Sequence, residues 1–177
     1  MVTSAKAVLH KPASGRFVVF TLLLGLLVNL VPWNETAKLV WPDMLALLLI
    51  FWITHQPRHV GLGSAWFLGL LMDIADGVLF GQHALAYTIM AYLAQALHRR
   101  LQMFSPWQQA LYVFGLLLSS LVIMLLVRLA LGAAFPGGFY FVSSALGAAL
   151  WPSLSVVVQM RQRRRGVADD SYQTMSK

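Results

Sequence analysis

The chain contains no cysteine and only six acidic residues among 177. Without thiols there is no disulfide, no thiolate nucleophile, no iron–sulfur cluster and no cysteine zinc site. Charge is scarce overall: 11% of residues are Asp, Glu, Lys or Arg, against roughly 25% in soluble domains. The hydrophobic share is 59%, above the roughly 45–50% of soluble chains. Such a sequence cannot build an ordinary wet surface, and its excess apolar area calls for lipid. Chemical motifs are lacking too. There is no phosphate loop, zinc-protease motif or nucleophile elbow. His55 and His59 are four apart, but Pro57 lies between them and breaks the helical spacing a metal pair needs. His83 and His98 fall at the ends of apolar runs and read as interfacial residues. No cofactor and no metal is expected.

What the sequence does contain is a succession of apolar runs. They are 17–31, 39–54, 60–80, 83–97, 107–131 and 139–160. At roughly 20 residues per span, six helices nearly use up the chain, so one all-α membrane domain is expected and no soluble one. The expected division is a cytoplasmic N-terminal segment 1–16, a six-helix transmembrane domain 17–160 and a basic cytoplasmic tail 161–177. The first run follows basic residues as a signal peptide does, but Pro32-Trp33-Asn34-Glu35 comes next in place of a cleavage site. It reads as a retained helix. The second run opens with Trp41-Pro42-Asp43, and proline is tolerated in a first helical turn. Pro152 lies inside the sixth, as an expected kink. The second and fourth runs are short for a full span.

The basic residues orient this array. Eleven of thirteen fall on one side of a six-helix arrangement: Lys6, Lys11, Arg16, Arg58, Arg99, Arg100, Arg161, Arg163, Arg164, Arg165 and Lys177. Only Lys38 and Arg128 fall on the other. Basic residues gather on the cytoplasmic side, so both ends are expected in the cytoplasm. The cluster Arg161, Arg163, Arg164 and Arg165 reads as a topology anchor touching anionic lipid, not as a nucleic-acid site. The segment 169–177 reads as a disordered polar tail.

Two groups of residues stand out within the runs. Gly61, Ala65, Gly69, Asp73, Gly77 and Gly81 recur every four residues. Such a row stays on one helix ridge for about three steps and lets another helix come close. Gly61, Ala65 and Gly69 are therefore candidates for a packing face, either within the chain or for a partner. The second group is Asp43, Asp73, Asp76 and Arg128, which the orientation places together in the outer half of the bilayer. Charges there are costly, usually paired and often functional. An outer polar cluster is expected, with Arg128 paired to Asp73 or Asp76. Asp73 and Asp76 are three apart, as in metal-dependent lipid-linked phosphotransferases, but such sites need further acidic motifs that are lacking here. An enzyme is not expected.

The stretch Trp41-Pro42-Asp43-Met44-Leu45, running into Ile50-Phe51-Trp52, is one marker. A second stretch runs from Gly61 through Trp66, Gly69 and Asp73 to Gly77 and then Gly81-Gln82-His83-Ala84-Leu85-Ala86-Tyr87. Together they resemble the MreD family of rod shape-determining membrane proteins, with Pro42, Asp43, Asp73, Gly77 and Gly81 as the motif positions. The resemblance covers nearly the whole chain. It implies a bacterial inner-membrane subunit of the cell-elongation machinery that joins MreC directly. The wider partners it implies are MreB, RodA and a penicillin-binding transpeptidase, and it leaves a homodimer within that complex open. The implied role is to organise or regulate peptidoglycan synthesis without chemistry of its own. The implied fold is similar to the six-helix substrate-binding component of energy-coupling-factor transporters. That kinship supplies an alternative, a subunit binding a vitamin-like small molecule. The alternative is weakened because the first run lacks the alanine pair with which such components dock their coupling subunit.

Overall fold

A computed structural model describes residues 14–32, 34, 40–77 and 81–175, with side chains omitted at 159 and beyond 160. Among the described residues there are six α-helices, one 3-10 turn and no strand. The helices are α1 (Gly15–Asn29), α2 (Met44–His55), α3 (Leu62–Asp76), α4 (Gln82–Leu101), α5 (Pro106–Ala130) and α6 (Val142–Met175). The 3-10 turn, Gly138–Phe141, leads into α6. Two segments, Pro106–Ala130 and Gly138–Val158, are long and apolar enough to cross a membrane. α1 and α2 are apolar but shorter.

Each helix start has a local cause. Asp43 is the N-cap of α2, its carboxylate accepting from the Ala46 N–H at 2.9 Å. Pro42 therefore sits one residue outside the helix, not in its first turn as its position suggested. There its ring steers the chain into the cap without removing a helical donor. Ser105 caps α5 through a capping box with Gln108, and Pro106 fills the first helical position. α3 stops at Gly77, whose φ of 62° is a left-handed conformation that glycine adopts cheaply.

α2 is the central element. Residues 45–54 are buried except Leu48, so the helix is apolar all round because it is covered all round. α1, α4, α5 and α6 pack against it, while α3 lies outside against α4. Trp52 anchors the centre. Its indole N–H donates to the Thr21 hydroxyl at 2.8 Å, and Phe17 meets its ring edge-on at 5.8 Å. Trp151, Phe51 and Tyr87 fill the neighbouring space.

Glycines set the closest approaches. At Gly69 an added Cβ would lie 2.6 Å from the Ala84 Cα, so the α3 and α4 backbones touch. Gly61 faces the Gln95 side chain of α4, and Ala65 is fully buried. The Gly61–Ala65–Gly69 ridge is thus occupied by α4. Of the two uses open to such a ridge, packing within the chain is the one seen here. A correction concerns the tail. α6 runs without a break through Pro152 and on to Met175, so the segment read as a disordered tail is helical to that point. The side chains of Arg161, Arg163, Arg164 and Arg165 lie outside the described residues, as do Lys6, Lys11, Trp33, Glu35, Lys38 and Lys177.

Candidate functional site: two carboxylate knots at one end of the bundle

The end of α1, the start of α2, the end of α3 and the start of α4 come together, and each pair is tied by a carboxylate. Asp73 lies in the last turn of α3 and is 1% exposed. Bare burial of a carboxylate is costly, so its bonds must be accounted for. Its Oδ2 accepts from the Gly81 N–H at 2.8 Å and the Ala84 N–H at 3.3 Å. Its Oδ1 accepts from the His83 N–H at 2.7 Å and lies 2.9 Å from the His83 Nδ1. The first turn of α4 has no side-chain cap of its own, since its N-cap is Gly81 with φ 102°. Asp73 supplies that cap from the preceding helix. It satisfies donors the helix cannot and puts its charge at the positive end of the α4 dipole.

The motif positions Asp73, Gly77 and Gly81 therefore form one helical hairpin. Asp73 caps, Gly77 ends α3 in the left-handed region, and Gly81 begins α4 in a positive-φ conformation. His83 is buried, not interfacial as its position suggested, because the hairpin folds it back over Asp73. Its Nε2 stands 3.7 Å from the Asp76 Oδ2.

Asp43 makes the second knot. Its Oδ1 accepts from the Asn29 side-chain amide at 2.7 Å and the Ala46 N–H, and its Oδ2 from the Tyr87 hydroxyl at 2.6 Å. Asn29 returns an acceptor to the Met44 N–H at 3.1 Å. The end of α1, the start of α2 and α4 are thereby fixed to one side chain. His83 and Tyr87, one helical turn apart on α4, meet edge-on at 5.8 Å and place the knots side by side.

Arg128 is not in this group. At this end the His83 imidazole lies 2.9 Å from the Asp73 carboxylate and 3.7 Å from that of Asp76. The expected pairing of Arg128 with Asp73 or Asp76 is thus corrected: Asp73 is bonded to His83, which the hairpin itself delivers ten residues on, while Arg128 is half-buried within electrostatic reach of Tyr140. Asn29, His83 and Tyr87 were the members missed. Among the described residues no group of three His, Cys, Asp or Glu side chains is placed to hold a metal. Hydrogen bonds from two carboxylates thus fix four segments at this end of the bundle.

Comparison with known proteins agrees with the motif. The family described as rod shape-determining protein MreD matches residues 12–161. The rod shape-determining protein MreD of Haemophilus influenzae is 29% identical over 158 residues, covering 86% of this chain and 96% of that protein. No solved structure matches.

Proposed function

The chain belongs to the MreD family of rod shape-determining membrane proteins, and from this premise we propose that it is a non-enzymatic subunit of the cell-elongation complex. It binds MreC directly and helps organise peptidoglycan synthesis, within an assembly that includes MreB, RodA and a penicillin-binding transpeptidase. A homodimer inside that assembly is compatible with the reading. The observation that carries it is the family match across 12–161, which spans every helix up to the tail.

The chain crosses the inner membrane six times with both ends in the cytoplasm. Segment 1–16 precedes the bundle, 17–160 forms it and 161–177 follows. The distribution of basic residues supports this. So does the bundle: Arg16, Arg99 and Arg100 lie at the opposite helix ends from the Asp43 and Asp73 knots. The bundle is of the kind formed by the substrate-binding component of energy-coupling-factor transporters. A scaffold is favoured over a small-molecule carrier because Trp52, Tyr87 and Trp151 fill the centre.

The test is genetic. Removing the protein from its own cells should convert rods to spheres, and the intact chain should restore them. Rods that persist after its removal would refute the reading.

A further inference from the structure

The carboxylates of the bundle, Asp43, Asp73 and Asp76, all lie at one end. Among the side chains described, the charged ones at the opposite end are Arg16, Arg58, Arg99 and Arg100, and all four are exposed. Two of them are brought to one rim by the way the chain turns. Gln95, Arg99 and Gln102 share a face of α4, being four and three residues apart. The turn between α2 and α3 is fixed to that face on both sides of Arg99. Before the turn, the Gln102 side-chain amide donates to the Thr54 carbonyl at 2.6 Å. After it, a Cβ added at Gly61 would lie 3.2 Å from the Gln95 side-chain nitrogen. Arg58 sits in the middle of this turn, which the Gln56 carbonyl closes by accepting from the His59 and Val60 N–H groups. Arg58 and Arg99 therefore border the same rim.

From the rim an apolar furrow leads into the membrane. α3 lies outside the bundle, against α4. Tyr92 and Ile89 of α4 are exposed. They lie seven and ten residues before Arg99, about 10 and 15 Å along the helix. The larger distance is half of the ~30 Å hydrocarbon thickness, the depth of one leaflet. On α3, Gly61 is level with Gln95 and Gly69 with Ala84, so Gly63 falls near the level of Tyr92. The space about Gly63 is open, and Trp66 beyond it is exposed.

We propose that Arg58 and Arg99 bind the phosphate of one anionic phospholipid, whose acyl chains lie along the furrow of Gly63, Trp66, Ile89 and Tyr92. Charge complementarity carries the choice of occupant. Guanidinium groups match phosphate oxygens with paired hydrogen bonds, and basic residues at the cytoplasmic face attract anionic lipid. A zwitterionic lipid brings its own ammonium beside the two arginines, so a headgroup without one, such as that of phosphatidylglycerol, is preferred. The site rests on the orientation proposed above only for the leaflet that supplies the lipid. Detergent micelles have no leaflets and hold no MreC, so a titration there separates failure of the site from failure of that reading.

The experiment is thermal unfolding of the full chain in micelles, followed by tryptophan fluorescence, as phosphatidylglycerol or phosphatidylcholine is added. The melting temperature should rise and saturate with phosphatidylglycerol alone, and native mass spectrometry should find one such lipid retained. Arg58→Gln and Arg99→Gln alter exposed side chains and should fold, and each should weaken the apparent affinity about fivefold. Arg16→Gln, at the same end but on α1, should leave it unchanged. Equal responses to the two lipids overturn the site. So does an equal loss from Arg16→Gln, which marks diffuse attraction by the whole end. An equal response to glycerol 3-phosphate, which has no acyl chains, overturns the lipid as occupant.

Discussion

Replacing Asp73 by alanine removes the cap of α4 and nothing else that α3 needs. Three backbone N–H groups, of Gly81, His83 and Ala84, lose their acceptor together with the His83 imidazole. Each buried donor left unpaired costs about 1–3 kcal/mol. The hairpin can relax and re-satisfy part of these donors, so the losses are not added in full. A loss of about 2–4 kcal/mol, one to two such donors, is expected, a large fraction of the ~5–15 kcal/mol that ordinarily holds a domain. Asp73→Asn keeps one acceptor oxygen but turns an amide toward backbone donors, and should lie between wild type and alanine. Thermal unfolding of the purified protein in nanodiscs reads the effect directly, without any partner present. If Asp73→Ala melts with the wild type yet fails to support rod shape, Asp73 acts on a partner and its capping role is refuted.

Gly69→Leu drives a side chain into the α4 backbone at Ala84, and overpacking of this kind costs about 1–3 kcal/mol or more. The isolated protein should therefore lose stability; unchanged melting with lost partner binding would restore the ridge as a docking face. Tyr87→Phe deletes the 2.6 Å hydrogen bond to Asp43 and should cost about 1.5–3 kcal/mol, the range for bonds to a charged group, read in the same unfolding assay. Arg128→Gln should change stability by no more than about 0.5 kcal/mol, and exchanging the charges of Asp73 and Arg128 should rescue nothing.

The apolar runs made the six helices legible, because a membrane chain states its helices in composition. Asp43 was legible as a helix opener for the same local reason: a carboxylate after Trp41-Pro42 and before an unbroken apolar run can cap it. The partners of the acids were harder. The hairpin that joins Asp73 to His83 is local, and the spacing Asp73, Gly77, Gly81, His83 carries its signal: two glycines bracket a turn, and the residue two past the second returns to the carboxylate. Arg128 drew attention as the only cation nearby in the reckoning of depth, yet depth alone says nothing about which side of a helix faces which neighbour. Tyr87 and Asp43 are 44 residues apart, and nothing local links them. The ridge of small residues showed that a helix comes close, but not that α4 of the same chain is that helix.

The proposed role, a scaffold that binds MreC directly, makes a direct biochemical prediction. The most direct measurement is affinity purification of the full chain from native membranes, with and without crosslinking, followed by quantification of MreC. MreC should be retained in a fixed ratio through gel filtration, and less of it by the destabilised Asp73→Ala chain. A folded, membrane-inserted chain that retains no MreC, with or without crosslinking, would contradict it.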